Sequence, residues 1–146
     1  MTLENLLGIG RLKPHNASRQ EVQRLLTSAG NSLRDAQLAS MSNNSRLDLA
    51  YKAIMQAALA ALLANGYRPS TSEPGHHQTT LQTLPKTIGM PNEKMVVLDG
   101  FRRARNLADY EGFDVEDAKA RECVEWAETV IHDVRAWIQQ HRADFV

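Results

Sequence analysis

Aromatic side chains are scarce in this chain, 5% of 146 residues. A core must therefore come from Leu, Ala, Val, Ile and Met, a helical-bundle composition rather than that of a β-sandwich. Cysteine occurs once, at Cys123, which excludes an internal disulfide and gives no sign of secretion. Net charge is absent too, with 17 basic and 17 acidic side chains. General attraction to nucleic acid is thus unavailable, and any anion binding must come from a local cluster. The longest apolar run, Ala57 to Ala64, is far too short to span a bilayer. No basic flank followed by a long apolar run opens the chain, so no signal peptide is expected. A Gly-rich phosphate loop after a strand, a serine elbow and a telling carboxylate pair are all missing. These absences predict a soluble, cytoplasmic protein with no membrane partner, long enough to bury a core.

What is present is helical periodicity. Residues 1–17, with Gly8, Gly10 and Pro14, read as a short helical or irregular lead-in to one helical domain over 18–146. Ser18 with Glu21 three places on is a capping-box pattern, and Val22, Leu25, Leu26, Ala29, Leu33 and Ala36 follow at helical spacing to about Ala39. A second helix is expected from Ser42 to Asn65-Gly66. Its second half is apolar on every side, which marks it as the centre of a bundle. Residues 67–75 read as a surface loop, rich in Pro, Ser, Thr and Gly. A short helix over 76–84 comes next, then one opened by Pro91-Asn92-Glu93 and broken at Glu111-Gly112-Phe113. A last helix is expected to be capped by Asp114 and to run to about His141. No strand is expected. The architecture is all-α, an antiparallel bundle of four to five helices.

The chemistry concentrates in Arg102-Arg103-Ala104-Arg105-Asn106-Leu107-Ala108-Asp109-Tyr110. At 3.6 residues per turn, Arg102, Arg105, Asn106, Asp109 and Tyr110 fall along one stripe, with Arg103 to its side. Several fixed positive charges, an amide and a stackable ring suit a phosphate-bearing ligand. The plainer reading is a solvated helix end with an Arg105–Asp109 pair worth only ~0.3–0.5 kcal/mol. Residue types alone leave both open. His76 and His77 are adjacent, so on a helix they diverge and chelate one ion poorly. Cys123 and His132, nine apart on one helix, make no zinc pattern. Neither a metal nor a cofactor is expected. As a proton carrier, His76 or His77 has a suitable unperturbed pKa.

Taken together, "RLDLAYKAIMQAALAALLANGYRPS", "GHHQTTLQTLPKTIG" and "LDGFRRARNLADYEG" resemble a HEPN domain over roughly residues 20–142. More narrowly, they resemble a bacterial branch in which "RN", two residues and "DY" replace an arginine-to-histidine motif. The resemblance implies a four-to-five-helix bundle, usually homodimeric, that binds nucleotides or RNA or cleaves RNA without metal. It also implies toxin-like members paired with a small nucleotidyltransferase-like antitoxin.

Carried over to this chain, the resemblance makes Arg105 the residue that holds the scissile phosphate and Asn106 the one that orients loop or ligand. Arg102 also binds, with Arg103, Asp109 and His76 or His77 in support. No histidine falls four to six residues after Arg102, Arg103 or Arg105. Tyr110 occupies that place as the second catalytic candidate, and an unperturbed phenol, with a pKa near ~10, is a weak base at neutral pH. Two non-catalytic alternatives stand beside this one. One is a partner module for a nucleotidyltransferase-like protein. The other is a structural bundle whose arginines pair between subunits with Asp99, Asp109 and Glu111.

Overall fold

A computed structural model describes residues 2–72 and 75–146. Its elements are α1 (Leu3–Gly8), β1 (Leu12–Pro14), α2 (Arg19–Ala36), α3 (Asn43–Ala64), β2 (Tyr67–Pro69), α4 (His76–Gln82), α5 (Leu84–Thr87), α6 (Asn92–Glu111) and α7 (Asp117–His141), closed by a 3-10 turn over Ala143–Phe145. The fold is an all-α bundle with one small ribbon.

The apolar second half of α3 has the consequence expected of it. Twelve of its 22 residues are buried, and it packs on α2, α7, α6, α4 and α5. Seven of those twelve are alanines, five of them in the Ala57–Ala64 run, which lets α2 and α7 approach closely. By length and composition α3 would also cross a membrane, but most of that window is buried inside the bundle. Its apolarity is that of a core helix.

Helix ends follow local chemistry. Ser18 Oγ accepts from the Glu21 amide at 3.1 Å while Glu21 Oε1 accepts from the Ser18 amide at 3.0 Å, the reciprocal box foreseen from the sequence. At the other end of α2, Arg46 donates to the carbonyl of Ala36, which the helix leaves free, at 2.9 Å, and to that of Leu38 just beyond at 2.7 Å. Ser42 caps α3 by accepting from the Ser45 amide at 3.2 Å. The short helix between α3 and α6 comes in two pieces, α4 and α5, because Pro85 has no N–H to continue the ladder.

Two expectations need correction. Asp114 does not cap the last helix: α7 begins at Asp117, with Glu116 in the N-cap position. The cause is tertiary. Val115 is drawn into the core, and its amide donates to Asn44 Oδ1 at 2.8 Å, which ties this stretch to the first turn of α3.

The second correction concerns the strands. Leu12–Pro14 pairs antiparallel with Tyr67–Pro69, so part of the lead-in and part of the supposed surface loop form a ribbon. A ribbon this short is marginal alone. It is held by Leu6 and Leu12 packing with Leu62, and by flanking bonds from the His15 amide to Gly66 and the Ser70 amide to Arg11. Three residues per strand, each strand ending in proline, leave no alternation to detect. Of the expected loop, Glu73 and Pro74 lie outside the described residues. The ribbon places Pro69 beside α3 and leads the chain toward α4, whose first residues are His76 and His77.

Candidate functional site

The sequence cluster lies on the C-terminal half of α6, and its arginines are held by carboxylates of the same chain. Asp99, only 6% exposed, accepts from Arg102 Nε at 2.8 Å and from Arg103 Nη2 at 3.1 Å. The Arg102 hydrogen bond, followed by the charges of both arginines and the Arg103 bond, holds its carboxyl below the usual 3.8 despite the opposing effect of burial. Arg105 donates from Nε to Asp48 Oδ1 of α3 at 2.9 Å, and Asp109 Oδ2 lies 3.5 Å from the same nitrogen. Asp99 and Asp109 are therefore already engaged within this chain.

Beneath Arg105 lies Tyr51 of α3, with the guanidinium carbon 5.3 Å from the ring centroid. Tyr51 is 2% exposed, and its hydroxyl is buried without a hydrogen-bond partner among the described residues. Burial pushes its pKa up to about 12, with Arg105 and Arg102 pulling the other way. It is a neutral phenol at physiological pH. Cys123 is likewise buried, and burial raises its thiol to about 12, so it is a core residue rather than a nucleophile.

Facing α6 is the first turn of α4. Gly75 takes φ 78°, a left-handed turn that only glycine enters freely, and so aims the chain into His76 and His77. Their rings meet edge to face at 4.5 Å. Partial loss of hydration lowers the pKa of His77, and the nearby charges of His76 and Arg105 lower it further, so its neutral form is favoured.

Two concavities share Arg105, His76 and His77 as a common wall. The smaller, about 180 Å³, adds Arg102 and Asn106 of α6 with Gly75 and Gln78. The larger, about 390 Å³, lies over α3 and includes Asp48, Tyr51, Lys52, Met55 and Leu59, with Pro69 of β2.

The structure thus brings Arg102, Arg105, Asn106, His76 and His77 around one groove. Asp109 sits beside it as a partner of Arg105. Arg103, with a side chain 69% exposed, and Tyr110, 82% exposed, line neither concavity. Sequence reasoning missed the α3 contribution. A signal was there: Asp48, Tyr51, Lys52, Met55, Gln56 and Leu59 recur at i, i+3, i+4, i+7, i+8 and i+11, the stripe of α3 that is not wholly apolar. Among the described residues, no group of three or more His, Cys, Asp or Glu converges to hold a metal ion.

No curated protein matches the chain. A family model described as HEPN domain matches residues 22–137, a span that contains α3, α4, α6 and nearly all of α7. With a helical bundle around the same segments, the chain belongs to the HEPN domain family.

Proposed function

We propose that this HEPN protein binds RNA or a nucleotide in the groove between α4 and α6 and cleaves RNA there without metal. The observation that carries this is the convergence of Arg102, Arg105 and Asn106 with the His76–His77 pair around one small groove. Each guanidinium has five donors, and the carboxylates occupy only some of them, so the paired arginines are pre-oriented rather than used up. Arg105 and Arg102 would hold the scissile phosphate and stabilise charge on it as the transition state forms. Asn106 would orient the ligand, and Arg103 and Asp109 would keep the arginines in place.

In the reaction the RNA 2′-hydroxyl attacks its neighbouring phosphorus, the 5′-oxygen leaves, and a proton moves from the one oxygen to the other. Neutral His77 is suited to accept that proton, with His76 beside it. Tyr110 lies outside the groove of its own protomer, so a catalytic role requires a second copy. Val96, Leu107, Tyr110 and Phe113 are exposed apolar or aromatic residues on or just beyond α6, and a homodimer packed there would bring two clusters together. Tyr110 would then act as a hydrogen-bond donor across the interface. The reading is of a cytoplasmic, toxin-like ribonuclease.

The same exposed face favours a second reading, a non-catalytic module that docks a nucleotidyltransferase-like antitoxin. Labelled single-stranded RNA incubated with the protein in chelator separates the two. Cleavage that persists in chelator and is lost in Arg105→Ala and His77→Ala, with Tyr110→Phe reduced, supports the ribonuclease. Binding without cleavage moves the account to the partner module, and neither binding nor cleavage at low salt removes the proposal.

A further inference from the structure

The larger cavity over α3 shares Arg105, His76 and His77 with the proposed phosphate groove. Its apolar lining includes Met55 and Leu59 of the α3 stripe and Pro69 of β2. Met55 and Leu59 are only partly buried although they pack against the core, so each presents apolar surface to this space. Arg105, His76 and His77 add a guanidinium and two imidazoles to the lining, side-chain planes of the kind on which unstacked bases rest. Thr71, Asp48 and Lys52 supply polar atoms to the lining. About 390 Å³ suits one base with its sugar and excludes a duplex.

We infer that this cavity is a pocket for a single unstacked nucleobase, so that the ligand is a nucleoside monophosphate or one nucleotide of single-stranded RNA with its phosphate between Arg102 and Arg105. The inference deepens the proposed function and rests on its phosphate groove. An apolar cup and a cationic notch divided by Arg105 match the two halves of a nucleotide. Arg105 thereby serves both, facing the phosphate with its free donors and the base with its plane. The pocket selects single strands, because a paired base cannot leave its stack to enter it without breaking the pair.

The test titrates the full chain with the four nucleoside monophosphates, unphosphorylated nucleosides and ribose 5-phosphate, using wild type, Met55→Trp, Leu59→Trp and Arg102→Ala. Wild type is expected to bind at least one nucleotide about tenfold or more tighter than ribose 5-phosphate, the scale of one base stack. Met55→Trp and Leu59→Trp, which fill the cavity, should remove that difference while ribose 5-phosphate affinity holds, which also attests their fold. Arg102→Ala should weaken both phosphorylated ligands. Equal affinity for nucleotide and ribose 5-phosphate, or nucleotide binding untouched by both tryptophans, overturns the base pocket and leaves the phosphate groove standing. Nucleosides that bind as tightly as nucleotides, with binding lost in both tryptophan variants, keep the pocket and overturn the phosphate reading instead. Failure of every ligand removes both.

Discussion

Helices α3 and α6 are nearly equal in length, 22 and 20 residues, yet α3 buries twelve of its residues and α6 only Leu98, Asp99 and Phe101. The two solve different problems. α3 is fixed by packing from several neighbours, so the stripe that carries Asp48 and the buried Tyr51 is a rigid base. The C-terminal half of α6 has no fully buried side chain after Phe101 and is held by a few ion pairs, one aromatic contact and the partly buried Ala104 and Ala108, so its polar side chains remain presented to solvent. A site built from both gains precision from the first and accessible charge from the second.

The comparison breaks first in the core. Ile54→Ala in α3 removes a fully buried side chain and should cost ~2–5 kcal/mol, read by denaturant unfolding. The matching deletion on α6, Leu107→Ala, should stay within about 0.5 kcal/mol, since Leu107 is exposed. Similar losses at both positions would show that α6 is packed as α3 is.

Alkaline pH gives the next effect. Tyr51 has its pKa raised to about 12, so its contribution is complete below pH ~10, the unfolded value, and is lost as pH climbs toward 12. That window should remove roughly 2–3 kcal/mol at most. Tyr51→Phe should flatten the alkaline loss and, by deleting a buried hydroxyl that has no partner, leave stability at neutral pH unchanged or slightly higher. A marked neutral-pH loss would mean that the hydroxyl is satisfied after all.

Asp99→Ala should cost about 1–2 kcal/mol, a figure discounted because Arg103 is mostly solvated. Asp99 has a depressed folded value, so its stabilisation is present above pH 3.8 and is lost as pH falls through that lower value. The variant's acid limb should be flatter than that of wild type. The smallest effect is at the cap: Ser18→Ala removes one bond of the box at the exposed start of α2 and should cost ~1 kcal/mol.

Legibility in the sequence followed the range of the interactions. Periodicity and caps settle within a few residues, so α2, α3, α6 and the role of α3 as the centre could be read directly. The start of α7 could not, because Asn44 of α3 holds Val115 from far along the chain. Nor could the ribbon, whose register depends on Leu12 meeting Pro69. At the site, Arg102, Arg105 and Asn106 stood out by type and spacing. Asp48, Tyr51 and Met55 did not, since their part depends on which stripe of α3 faces α4 and α6, and only packing decides that.

The central claim is that the groove of α6 and α4, rather than the surface as a whole, holds phosphate. Fluorescence anisotropy of a labelled single-stranded RNA measures it directly, with wild type and the Arg102→Ala/Arg105→Ala pair at two salt concentrations. Wild-type binding should weaken with salt, and the double variant should lose at least about tenfold in affinity, show a shallower salt slope and keep a melting temperature shifted only slightly. Equal affinity in the two proteins, or no binding by the wild type at low salt, would contradict it.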